Sequence, residues 1–147
     1  MKTTRLVTSS ILLLFAVQSM ALAQSTDITE TFKKHFNKTF QQVQETESAD
    51  KKRMLLNESF AKMLEAVDRI ESRANLSKDE IAQLNSFKNG ILEKKSELNG
   101  SDGFDKVGDE DLDDFSEYSQ DFMEQADKTL TIGLTTALLI VIILLLL

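Results

Sequence analysis

The hydrophobic residues near the start of the body of the chain recur every three or four positions, which places them on one face of a helix. They are Ile28, Phe32, Phe36, Phe40 and Val43. Thr26 or Asp27 can cap this helix, and Glu30 follows Asp27 by three residues, as in a capping box. We therefore predict a first helix over residues 27–46.

A second periodic set follows, but it cannot share a straight helix with the first. Its members are Leu56, Phe60, Met63, Leu64, Val67 and Ile70. At about 100° per residue, Phe40 and Phe60 would lie on nearly opposite sides of one continuous helix. The polar stretch 45–52 is the simplest place for a break, so we predict that Ser48 caps a second helix over residues 50–74.

The clearest local signal in the chain marks the start of a third helix. Ser77 stands in the cap position with Glu80 three residues later, and Leu76 and Ile81 are spaced as a hydrophobic staple around them. This pattern predicts a helix that begins at Lys78.

The third helix has an apolar face and a defined end. The face consists of Ile81, Leu84, Phe87, Ile91, Leu92 and Leu98. Asn99 and Gly100 follow as a stop signal, because glycine tolerates the positive φ of a helix C-terminus. Gly90 interrupts the helix and should cost about 1 kcal/mol relative to alanine.

Three of the five glycines fall within residues 100–108, which predicts a flexible link. A last amphipathic stretch follows, formed by Leu112, Phe115, Tyr118, Phe122, Met123 and Ala126. These patterns predict an all-α fold, a small antiparallel bundle of three or four helices. Residues 24–99 would form the bundle, and residues 100–128 an acidic juxtamembrane segment with an amphipathic helix.

The N-terminus has the three parts of a secretory signal. Lys2 and Arg5 supply positive charge, residues 11–17 are apolar, and residues 21–23 form a small-x-small cleavage site. We predict a cleaved signal peptide over residues 1–23. The alternative, an uncleaved anchor, requires about 20 predominantly apolar residues, and serine, threonine and glutamine interrupt this run.

The C-terminal residues 130–147 carry no charge and end in isoleucine, valine and leucine. At a rise of about 1.5 Å per residue they would extend roughly 27 Å, enough for the hydrocarbon core of a bilayer. We predict a single transmembrane anchor over residues 129–147, with the bundle on the periplasmic or extracellular side. The alternative of a signal for a lipid anchor suits the acidic, bulky residues 114–119 poorly.

Thr129, Gly133 and Ala137 recur every four residues within the predicted anchor. Small residues at this spacing allow two membrane helices to approach closely, so they are candidates for self-association into a homo-oligomer. The competing interpretation is a plain anchor whose whole surface faces lipid.

Charge is distributed unevenly along the chain. Residues 25–101 are balanced, whereas residues 102–127 contain 11 acidic residues against Lys106 alone. One interpretation is a solvated spacer beside the membrane. Another is calcium binding by Asp109, Asp111 and Asp113, although Asp114 stands where the calcium loop of EF-hands requires glycine.

A third interpretation is that this acidic segment binds a basic protein partner. Phe115, Tyr118 and Phe122 alternate with its carboxylates, so charge would steer the encounter and the rings would provide burial. The competing interpretation is that these rings complete the core of the bundle. The basic run 51–53 is flanked by Glu45, Glu47 and Asp50, which predicts local ion pairing.

The composition argues against several functional classes. The chain has no cysteine and one histidine, and no glycine-rich phosphate loop is apparent, so we expect no enzyme, cofactor or metal centre. The net charge of −7 is the wrong sign for a nucleic-acid partner.

These features favour a non-enzymatic, membrane-anchored helical protein of the cell envelope or surface, acting in protein–protein interaction or self-association. The alternatives are a periplasmic chaperone-like or stress-sensing helical module, and a cation-responsive sensor that uses the acidic segment.

Overall fold

The computed structural model describes residues 28–127 and residue 130. It contains four helices and, within these residues, no strand: α1 (Ile28–Gln44), α2 (Ala49–Arg73), α3 (Lys78–Asn99) and α4 (Leu112–Asp127). The all-α prediction is confirmed, as is a small helical bundle. Nothing in the described part of the chain is both long and apolar enough to cross a bilayer. The predicted signal peptide, the ridge of Thr129, Gly133 and Ala137, and the predicted anchor apart from Leu130 lie outside the described residues.

The helix termini follow the local signals of the sequence. Ser48 caps α2 by accepting a hydrogen bond from the backbone N–H of Lys51. Ser77 and Glu80 form the predicted capping box at the start of α3, with bonds of 3.3 and 2.8 Å. Gly100 ends α3 at a φ of 68°. Local hydrogen bonding therefore determines where α2 begins and where α3 begins and ends.

The contacts between helices show that neighbouring helices run antiparallel. Lys33 pairs with Glu124 and Asn37 with Gln120, so numbers rise along α1 as they fall along α4. The pairs Asn57–Asn99 and Lys88–Asp68 show the same for α2 and α3. The contact between α1 and α4 is extensive, whereas α3 and α4 touch over only a short stretch.

Aromatic rings from all four helices form the centre of the core. Phe60 of α2 is fully buried; it stacks on Phe36 of α1 at 5.7 Å and meets the edge of Phe115 of α4 at 6.4 Å between ring centroids. Phe32 and Phe87 join α1 to α3 at 5.1 Å. In a chain without disulfides, burial of these rings supplies much of the stability.

The link between α3 and α4, predicted to be flexible, is bound to α2. Arg53 donates hydrogen bonds to the backbone carbonyls of Leu98 and Val107 and pairs with Asp109 at 2.8 Å. Lys52 pairs with Asp113 at 2.5 Å. The prediction that the basic run pairs locally is therefore wrong for Lys52 and Arg53. Both side chains pair instead with carboxylates of the acidic segment.

The acidic link lies far from the end of α4. A helix of 16 residues is about 24 Å long, so α4 places residues 102–111 and residue 127 at opposite ends of the bundle. The turn between α1 and α2, which contains Glu45 and Glu47, is at the same end as the link. Negative charge therefore accumulates at the end of the bundle remote from residue 127.

We expect Arg53→Met to lower the free energy of unfolding by about 2–4 kcal/mol, because two carbonyls and a carboxylate lose a charged donor in one step. Urea unfolding of the full-length chain, followed by circular dichroism, measures the change. Lys51→Met removes an exposed charge from the same basic run and should change stability by less than about 0.5 kcal/mol. Equal effects of the two substitutions would contradict the role given to Arg53.

Candidate partner-binding groove

A groove separates α3 from α4 because these two helices contact each other so little. It comprises two adjoining depressions, each of about 250 Å³, which share Phe122 and Gln125 in their walls. The apolar part of the lining consists of Phe87, Gly90, Tyr118, Phe122 and Ala126. A partner side chain could therefore find apolar surface here without any rearrangement of the core.

The middle of the groove is built on a contact between Phe122 and Gly90. The Phe122 ring lies nearly parallel to Phe87, with centroids 6.0 Å apart, and rests against the backbone of α3. A Cβ atom on residue 90 would lie 2.4 Å from the Cζ of Phe122. The glycine that weakens α3 is therefore what allows the Phe122 ring to pack against this helix.

Lys94 closes the end of the groove nearer the acidic link. Its ammonium group donates hydrogen bonds to both carboxylate oxygens of Glu97 at 2.9 Å and lies 4.1 Å from the centre of the Tyr118 ring. Burial alone would lower the pKa of Lys94, but hydrogen bonding to Glu97 and Tyr118 outweighs it and raises the pKa. Lys94 is thus a buried cation at neutral pH that holds Tyr118 in place.

The three candidate partner-binding residues occupy different surroundings. Phe115 is buried against Phe60, so this ring does complete the core. Phe122 is half-buried in the groove wall, and Tyr118 is 55% exposed at the groove mouth. Tyr118 and Phe122 therefore both line the groove, whereas Phe115 lies in the core and not in the groove.

Gly90 and Lys94 belong to the groove although the sequence analysis gave them no functional role. A signal for Lys94 was present, since it falls at helical spacing between Ile91 and Leu98 on the apolar face of α3. A charged residue on such a face requires a partner inside the fold. Its actual partners, Glu97 and Tyr118, depend on how α3 and α4 meet.

The rim of the groove is acidic on the α4 side. This helix contains no basic residue; its Asp121 lines the groove and Glu117 is exposed one turn earlier, whereas Glu124 pairs with Lys33 of α1. On the α3 side Glu93 adds a further negative charge. The surface around Tyr118 and Phe122 therefore attracts positively charged groups.

Two of the three candidate calcium ligands, Asp109 and Asp113, form ion pairs with basic residues of α2. Asp109 is paired with Arg53 and Asp113 with Lys52. Within residues 28–127, no group of three or more acidic or histidine side chains is arranged to hold a metal ion.

A second, polar pocket of about 280 Å³ lies between α1 and α2, on another side of the bundle. His35 forms part of its wall. Burial, followed by the positive charges of Lys62 and Lys38, lowers the pKa of His35 below its usual 6.5. The imidazole is therefore neutral at pH 7.

The sequence matches no protein-family model, and comparisons with curated proteins and with solved structures also yield no match.

We expect Gly90→Ala to destabilise the protein by about 1 kcal/mol, although alanine is the better helix former by a similar amount. The reason is that the new methyl group displaces the Phe122 ring. Asn89→Ala, on the exposed neighbouring position, should be neutral or slightly stabilising by the same urea assay. A Gly90→Ala protein more stable than the wild type would show that the ring contact is unimportant.

We expect the free energy of unfolding to fall as the pH drops below 6.5. In this range the unfolded chain protonates its histidine while folded His35, whose pKa is lower, remains neutral. The loss should level off once folded His35 protonates as well. Because the chain has a single histidine, His35→Gln should flatten the profile between pH 7.5 and 5.5. The same slope in the variant would contradict this assignment.

Proposed function

We propose that this chain is a non-enzymatic protein of the cell envelope or surface, anchored in a membrane by residues 129–147, which binds a protein partner through the α3–α4 groove. The observation that carries the proposal is an apolar groove, with Tyr118 exposed and Phe122 half-buried, beside a helix face with only acidic charges. The signal-like N-terminus and the uncharged C-terminus support the location.

The direction of the helices supports tethering from one end. The pair Lys33–Glu124 brings the start of α1 beside the end of α4. The start of the mature chain and the C-terminal anchor would then lie on the same side of the bundle, and the acidic link would point away from the membrane. The groove, which extends from Ala126 to Lys94, would remain open along its length to a partner in solution.

The chemistry of the groove favours a basic, amphipathic partner segment. Lysine or arginine side chains would meet Asp121 and Glu117, while an apolar side chain would pack between Tyr118 and Phe122. Opposite charges accelerate the encounter, and aromatic anchors supply most of the affinity in such interfaces. Engagement of Asp109 and Asp113 by basic residues makes a cation-responsive sensor the weaker alternative.

Photocrosslinking in the native membrane tests this proposal. A photoreactive phenylalanine at Tyr118 should yield a discrete crosslinked product, whereas the same probe at Leu92, exposed on another face of α3, should not. The charge reversal E117K/D121K should reduce the yield at least severalfold, because steering and rim pairing are lost.

Two results would contradict the proposal. Equal crosslinking from Tyr118 and Leu92, or a yield insensitive to the charge reversal, would remove the groove as the binding site. A broad ladder of products from Tyr118 would favour the chaperone-like alternative instead. Release of the full-length chain from membranes by carbonate would contradict the anchor.

A further inference from the structure

The interface between α1 and α2 becomes polar next to its aromatic core. Thr39 donates a hydrogen bond of 3.0 Å to Ser59, and both hydroxyl groups are buried. The second pocket opens beside this pair, with Gln42 and Leu55 among its walls. Polar residues at core positions are the places where a sequence departs from simple packing rules, and such departures gather at functional sites.

The Nε2 atom of His35 has no hydrogen-bond partner. Among the described residues, His35 Nε2 is the single buried side-chain nitrogen or oxygen atom without a hydrogen-bond partner. An unsatisfied buried polar atom costs about 1–3 kcal/mol. In a native protein such a group calls for an explanation, and a ligand that completes its hydrogen bonding is one.

The charged groups around this pocket carry a net positive charge. Lys38 comes from α1, and Glu58 and Lys62 come from α2. Lys62 pairs with Glu58 at 3.0 Å, which leaves the charge of Lys38 uncompensated among these three. Protonation of His35 would add a second positive charge, in a protein whose overall charge is −7. A local positive site on an acidic protein selects for anions.

We propose that this pocket binds a phosphate group, with Lys38 and Lys62 providing the positive charge and the His35 ring turning on binding so that its Nε2, buried in the free protein, donates a hydrogen bond to a phosphate oxygen. The volume of about 280 Å³ admits a phosphate together with a small substituent. A phosphate dianion also opposes the field of the two lysines, so it favours the protonated imidazole. Binding of the dianion would therefore favour the uptake of a proton on His35.

The chain's single histidine makes the test direct, because only one imidazole signal is present. The full-length chain, labelled with ¹³C-histidine and held in neutral detergent, is titrated with acid in the presence of inorganic phosphate and, separately, in chloride of equal ionic strength. Phosphate should raise the pKa of His35 by roughly one unit relative to chloride. The double variant K38M/K62M should lose this difference, whereas K78M, an exposed lysine at the start of α3, should retain it.

A second arm identifies the source of the phosphate. Vesicles containing phosphatidic acid are compared with vesicles of phosphatidylcholine, each without free phosphate. A shift with inorganic phosphate supports a soluble ligand, and a shift with phosphatidic acid alone supports a lipid headgroup. The proposal is overturned if neither source shifts His35 beyond chloride, or if the shift survives in K38M/K62M.

Discussion

The guanidinium group of Arg53 connects three parts of the chain, and the rest of the fold depends on their being held together. It satisfies the carbonyl of Leu98 at the end of α3, the carbonyl of Val107 in the link, and the carboxylate of Asp109 just before α4. A chain without cysteine cannot fix such a link covalently, so a charged donor with several hydrogen bonds takes that role. This contact fixes the link that leads into α4.

The groove between α3 and α4 follows from where α4 makes its contacts. The extensive contacts of α4 are with α1, and it meets α3 mainly where Phe122 packs on Gly90 and where Tyr118 covers Lys94. Both contacts occur where α3 departs from a regular amphipathic helix. Gly90 interrupts the helix, and Lys94 is a charged residue on its apolar face. The α1–α2 interface carries the corresponding exception at His35. The proposed binding surfaces therefore lie where the packing of the bundle is least regular.

The fold could be predicted from the sequence wherever short-range physics decides it. Ser48, Ser77 and Gly100 act on neighbours within a few residues, so their caps were visible, and hydrophobic periodicity located the four helices. The partners of Lys52 and Arg53 could not be found this way, because they lie 45 to 61 residues later in the chain. Periodicity also placed Phe115, Tyr118 and Phe122 on one helix face, but only the positions of α2 and α3 decide which ring is buried. The groove could therefore not be predicted from the sequence, because it depends on how the helices pack together.

Residue-resolved hydrogen exchange of the full-length chain tests most directly whether the link and α4 are fixed to α2 and α3. The Val107 amide, which donates to the Glu97 carbonyl at 3.3 Å, should be protected, and the core-facing amides of α4 should exchange together with those of α1. Exchange of residues 104–127 at the rate of an unfolded chain, while α2 and α3 stayed protected, would show that the link and α4 are not fixed to the bundle.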